Sequence, residues 1–133
     1  MSEPVAIISS SQIKQDEFIN LLQSLGAFII EDSNDPFDAR LSRGYQHVWI
    51  ALDNRGFDQF EDDEIELFTQ MLTSKPQSHI VLEISREAGS QQLAVELACV
   101  FAERWPCIVD NCSDKVFTSQ ELFDLRSSGG DLW

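Results

Sequence analysis

Short dense apolar runs alternate with helical stripes along this chain, and the two patterns change over at turn-forming residues. Residues 5–8 (Val-Ala-Ile-Ile) form a compact apolar run closed by three serines, the pattern of a short buried strand. Phe18, Leu21, Leu22 and Leu25 then recur at helical spacing. Ser9 and Gln12 are spaced as a capping box ahead of that helix, and Gly26 stands where a C′ residue belongs. Residues 27–30 read as a second strand. The polar segment 31–44 contains Asp35-Pro36 and reads as a connection with room for a further strand at its end. Residues 47–52 are almost continuously apolar, which predicts a third strand buried on both faces.

Asp53, Asn54, Arg55 and Gly56 supply turn chemistry. Ile65, Phe68, Met71 and Leu72 mark a second helix over 62–73, whose acidic first turn suits the positive end of the helix dipole. Lys75-Pro76 ends it, and residues 79–84 read as a fourth strand. The strongest helical stripe is Leu93, Ala94, Leu97, Ala98, Phe101 and Trp105, closed by Pro106. Residues 107–109 and 115–117 then pair as strands across 110–114. Thr118 and Glu121 are spaced as a capping box for a short last helix over 119–125.

The expected fold class is therefore α/β, an α+β sandwich. Its strand-helix-strand-strand-helix-strand core matches the split βαβ arrangement of ferredoxin-like folds, followed by a C-terminal helix, a strand pair and a short helix. An irregular three-layer α/β domain is the alternative. Residues 1–126 are expected to form one globular domain. Residues 127–133 are expected to be a flexible tail, because Ser127-Ser128-Gly129-Gly130 loosens the chain before Trp133.

Charge changes this picture most. The chain has 23 Asp plus Glu against 9 Lys plus Arg, a formal −14 on 133 residues. Nine Phe and three Trp can fill a core, so the charge sits on a folded body and not on a disordered tail. Such a surface repels nucleic acid and anionic membrane and attracts basic proteins; acidity that serves only solubility is the plainer reading. No apolar stretch approaches the length of a membrane span. The three cysteines, Cys99, Cys107 and Cys112, are an odd count that fits reduced thiols and a cytoplasmic location.

Candidate chemistry is sparse. The sequence has no nucleophile elbow, phosphate-binding loop or dinucleotide fingerprint. His47 and His79 stand at strand starts, where they can meet across neighbouring strands, and Glu83 interrupts an apolar strand; these three are the candidates for a ligand-binding or catalytic cleft. Cys107 and Cys112 lack the partners of a structural zinc site. Residues 53–58 depart from calcium-loop spacing, since Gly56 comes at the fourth position and not the sixth, although Asp58, Asp62 and Asp63 leave room for a loose divalent cation. No cofactor, metal or catalytic residue is assigned.

The acidic clusters remain. Asp58, Glu61, Asp62, Asp63, Glu64 and Glu66 fall within nine positions, interleaved with Phe57 and Phe60. Crowded like charges repel, and a cationic partner relieves that repulsion while the aromatics act as anchors. Asp32, Asp35 and Asp38 make a secondary patch. The predicted site is thus a partner-binding surface.

Residues 93–98, 101–105, 108–110 and 116–122, together with the small size, acidity and missing catalytic set, resemble bacterial immunity proteins, the antidotes of polymorphic and contact-dependent growth-inhibition toxins. The resemblance implies one-to-one binding of a basic toxin domain, often a nuclease, with acidic side chains standing in for substrate phosphates. An acidic nucleic-acid mimic that regulates a DNA- or RNA-binding protein is the second reading. A small ferredoxin-like enzyme or ligand-binding module using His47, His79 or Glu83 is the third.

Overall fold

A computed structural model describes residues 3–53 and 56–133; the expected turn residues Asn54 and Arg55 lie outside the described residues, as do Met1 and Ser2. The elements run β1 (Glu3–Ser9), α1 (Gln15–Ser24), β2 (Phe28–Ile29), β3 (Ala39–Arg43), β4 (Gln46–Asp53), α2 (Asp62–Leu72), β5 (Ser78–Ile84), α3 (Ser90–Arg104), β6 (Cys107–Asp110), β7 (Val116–Phe117) and α4 (Ser119–Ser128). The seven strands form one sheet in the order β2-β3-β4-β5-β1-β6-β7, every neighbour antiparallel. The chain is a mixed α+β protein of four helices on a seven-stranded sheet among the described residues.

The expected sandwich and order of elements are present, but the strand order departs from a split βαβ core. A ferredoxin-like core places its first strand between the third and fourth core strands. Here β4 and β5 are direct neighbours, from Val48 opposite Ile84 to Asp53 opposite His79. The physical reason lies in α2, which leaves and rejoins the sheet at the same end. It is therefore an excursion within a hairpin and not a crossover. The antiparallel register also puts His47 and His79 at opposite ends of the β4–β5 ladder, so the two histidines do not meet.

Strand alternation sorts the residues onto two unlike faces. Val5, Ile7, Val48, Ile50, Ile80, Leu82, Ile84 and Val109 point to the inner face and pack against α1, α3 and α4 through Phe18, Leu22, Leu93, Leu97, Phe101 and Leu122. The rings of Phe18 and Phe101 stack at 6.0 Å. On the outer face, α2 lays Phe68, Ile65, Met71 and Leu72 over Ala6, Ile8 and Ile108. No second helix joins it there among the described residues. This explains why β4 alternates buried and half-buried residues where its apolar sequence predicts burial on both faces.

Local signals were partly redirected by the sheet. Ser9 does not cap α1. It is the last residue of β1, paired with Ser78 and Cys107, and its hydroxyl donates to the Pro106 carbonyl at 2.7 Å. The backbone N–H of Ile13 donates to Ser78 Oγ at 2.8 Å, and α1 begins after Lys14 with no side-chain cap. The Thr118–Glu121 capping box does form: Thr118 Oγ1 accepts from Glu121 N at 3.2 Å, and Glu121 Oε1 accepts from Thr118 N at 3.1 Å.

The tail is docked, contrary to the expectation for residues 127–133. Helix α4 extends to Ser128 and ends on Gly129 in the left-handed region, φ 72°. The chain then turns back so that Leu132 is fully buried in the inner core. Asn111 Nδ2 donates to the Leu132 carbonyl at 2.7 Å. Burial of one leucine outweighs the flexibility of two glycines. We expect Leu132→Ala to lower unfolding stability by about 2–4 kcal/mol, read as a shifted urea midpoint; an unchanged midpoint would mean that the tail is not part of the core.

Candidate protein-docking groove

Helix α2 is amphipathic, and its polar side carries the charge. Glu61, Asp62, Asp63 and Glu66 are exposed, as is Asp58 before them. Glu64 is half-buried, and its Oε1 accepts a hydrogen bond from Glu61 N at 3.0 Å. Asp63 Oδ1 accepts from Glu64 N at 3.0 Å. The Glu61 side chain accepts from the Glu64 N–H in return, so three of the six acids satisfy N–H groups around the helix start, which also benefits from their charge. The other three, Asp58, Asp62 and Glu66, project into solvent.

Phe57 and Phe60 do not stand out as free anchors. Both are half-buried and pack on the outer core. Phe60 meets Phe68 edge-on at 5.3 Å and His79 at 5.1 Å, and Phe57 lies 5.9 Å from Phe60 and 6.1 Å from His79. His79 is buried beneath them, with its Nδ1 accepting from Gln59 Nε2 at 3.0 Å and lying 3.8 Å from Asp53 Oδ2. The aromatic pair therefore holds the 56–61 segment down on the sheet and leads the chain into α2.

Across from α2 stands the β6–β7 turn, built by one buried side chain. Asn111 Oδ1 accepts from the backbone N–H groups of Ser113, Asp114 and Lys115 at 3.0, 3.0 and 3.1 Å. Its Nδ2 donates to Asp114 Oδ1 at 2.9 Å. Asp110 Oδ1 accepts from Cys112 N at 2.8 Å, and Cys112 takes a left-handed conformation, φ 59°. Between this turn and α2 lies a groove of about 630 Å³. Phe60, Phe68, Leu67, Met71 and Val116 supply its apolar surface, and Glu64, Asp110 and Asp114 its acids. Leu67 is 43% exposed.

Electrostatics in the groove are strained in one direction. Burial pushes the Asp110 carboxyl above its usual range, and the nearby negative charge of Glu64 adds to the rise, while the Cys112 N–H opposes it. Cys112 is exposed at the turn, but partial desolvation of its thiol, with Asp110's charge, pushes that group up to about 11. The one lysine lining the groove, Lys115, is engaged with Glu121 at 2.9 Å, its ammonium 4.7 Å from the centre of the Phe117 ring. The groove combines apolar contact area with carboxylates that gain from a cation. Among the described residues no group of three or more His, Cys, Asp or Glu side chains is placed to hold a metal ion.

The secondary patch lies elsewhere. Asp32, Asp35 and Asp38 precede β3, near the β2 edge of the sheet, whereas the groove adjoins β6 and β7 at the other edge. These aspartates build the loop: Asp32 Oδ1 accepts from Asn34 N at 2.9 Å and Asp35 Oδ1 from Phe37 N at 2.8 Å. Asp38 is half-buried, and its Oδ2 accepts from Leu52 N at 2.8 Å. A second groove, of about 670 Å³, has His47, Trp49 and Glu83 among its lining residues. His47 Nδ1 is 2.7 Å from Ser42 Oγ, and His79 is not part of this groove.

Compared with family models, with characterised proteins and with solved structures, the chain has no match. The site therefore rests on its own geometry. Its unforeseen members are Leu67, Phe68, Met71, Asp110, Asp114 and Val116. Leu67 had a sequence signal, since it lies off the Ile65–Phe68–Met71–Leu72 stripe, an apolar side chain on the polar side of a helix.

The Asp110 environment sets a pH dependence. Its folded carboxyl binds a proton more tightly than the unfolded one, so ionising it costs stability as pH rises above the ordinary carboxylate range. Asp110→Asn keeps an Oδ1 acceptor for Cys112 N and removes that cost. The variant should have a higher urea midpoint than wild type at pH 7, with the difference shrinking as pH falls to 4 and below, about where an unperturbed Asp titrates. A difference that does not depend on pH would contradict the assignment.

Proposed function

We propose that this protein is an immunity-type inhibitor: it binds one basic protein domain, of the kind found in nuclease toxins, through the groove beside α2 and blocks it. The observation that carries this reading is the union of two features on one surface. An apolar floor with exposed Leu67 lies next to Glu64, Asp110 and Asp114, and the exposed acids at the start of α2 continue the charge beyond it. Interfaces gain most of their affinity from desolvated apolar centres, while charged rims steer encounter and select partners. A lysine or arginine entering between Glu64 and Asp110 relieves their mutual repulsion, and an apolar neighbour covers Leu67 and Met71. The three free thiols fit action in the cytosol.

Capture from the native host at low and high salt, with mass spectrometry, tests the reading. One basic domain retained one-to-one through the high-salt wash is the expected result. Many basic proteins lost together would overturn it and leave acidity as a matter of solubility. With the captured partner in hand, the rim and the floor should separate kinetically. The double change Asp62→Lys and Asp63→Lys should cut the association rate by about tenfold or more at low salt and leave dissociation nearly unchanged. Leu67→Ala should do the reverse, raising the dissociation rate by about tenfold. Stopped-flow or surface-based kinetics reads both.

A further inference from the structure

The edge strand β7 gives the groove a property that its side chains alone do not show. The N–H of Asn111 donates to the Lys115 carbonyl at 3.1 Å, just beyond the pair Asp110–Val116 in the β6–β7 ladder. In that pattern Asp110 and Val116 are a non-hydrogen-bonded pair, whose own N–H and carbonyl groups turn away from each other. Strand β7 is the last of the sheet, so the N–H and carbonyl of Val116 point out of its edge. No described residue bonds to either. The next outward N–H, that of Thr118, is already held by Glu121 Oε1 at 3.1 Å. One donor and one acceptor are thus left side by side, a template on which a further strand pairs.

Side chains around this template carry the chemistry of the groove. Val116 packs on the outer core, as Met71 and Leu72 do, whereas Phe117 belongs to the inner core. Asp110 shares the outer face with Val116, since directly paired residues project to the same side. A residue of an added strand that exchanges both hydrogen bonds with Val116 projects to that side too. Its side chain enters the groove among Val116, Leu67 and Met71, with the Asp110 backbone two strand spacings away, about 9.6 Å. A lysine or arginine fits that path. Its apolar stem lies on Val116 and Leu67, and its head reaches toward the Asp110 and Glu64 carboxylates. Lys115 does not compete, because alternation turns it to the other face, where Glu121 and the Phe117 ring hold it.

We propose that the partner is bound by strand addition: an extended basic segment pairs with β7, and the residue opposite Val116 is a lysine or arginine. The partner's basic character rests on the inhibitor reading, to which this adds the manner of binding. Charge selects this occupant over a second copy of the chain. Two β7 edges paired with each other bring the acids of both grooves together, on chains that each carry −14.

The free full chain and a synthetic probe suffice for the test, so it succeeds or fails apart from any capture experiment. The probe is the capped peptide acetyl-Thr-Thr-Val-Lys-Val-Thr-Thr-amide, followed through the backbone amide shifts of the isotope-labelled protein. The expected result is a saturable shift of the Val116 amide with a dissociation constant of about 1 mM or tighter. Replacing the peptide's lysine by glutamate should weaken binding about tenfold or more, since like charges then share the groove. Methylating the backbone nitrogen of that lysine should do the same, because the Val116 carbonyl loses its donor. Val116→Pro should also weaken binding about tenfold. It removes an N–H that faces away from β6, a place where an edge strand accepts proline, and circular dichroism verifies that it folds. A peptide that binds equally well with and without the backbone methyl group overturns the proposal. So does the absence of any shift at Val116, which with a partner still captured refutes strand addition and leaves the inhibitor reading standing. A Val116 shift that appears on concentrating the protein alone means that a second copy takes the edge, and overturns it as well.

Discussion

Unequal cover on the two faces of one antiparallel sheet is the constraint from which most of this structure follows. Three helices press on the inner face, where Val5, Ile7, Ile50, Ile80, Leu82 and Val109 are fully or almost fully buried. With α1, α3 and α4 on one side, α2 is the one helix on the other among the described residues. Its apolar stripe spans only the region of Ala6, Ile8 and Ile108. The position of α2 creates the groove against the β6–β7 turn, so the candidate docking surface is a consequence of that asymmetry.

The acidic residues divide by what their carboxylates are bonded to. Asp32, Asp35, Asp38 and Asp110 each accept a backbone N–H, so much of their value is local: they hold loops and turns that lack ladder partners. Glu61, Asp63 and Glu64 belong to this group too, through the N–H groups of Glu61 and Glu64 at the start of α2. Beside them Asp58, Asp62 and Glu66 are exposed. Burying Asp110 in the groove costs the folded state some stability, with the charge of Glu64 adding a smaller part, as the raised Asp110 carboxyl records.

Local order was well legible along the chain. The stripes that define α1, α2 and α3 and the apolar runs of β1, β4, β5 and β6 are formed near their expected places, because periodic burial is a local property of spacing. Cys99 lies inside the α3 stripe and is buried, as its neighbours imply. The Thr118–Glu121 capping box formed because both partners are within one helical turn. Ser9 failed as a cap because β1 needed it for pairing on both sides, a demand that arises only once β5 and β6 are present. The acid-rich character of the α2 surface was equally visible, but the groove was not: Asp110 and Asp114 are more than forty residues from Glu64 in the chain.

Sequence by itself thus determined which segments are helical, which are extended, and that a strongly acidic surface surrounds the start of one helix. Each of these depends on residues a few positions apart. Tertiary structure alone decided that β5 lies between β4 and β1, that His47 and His79 are separated, that Phe57 and Phe60 turn inward, and that Leu132 is drawn into the core. Those outcomes depend on which strands lie side by side, and strand neighbours are chosen by the burial of whole faces, a long-range balance that local spacing does not encode.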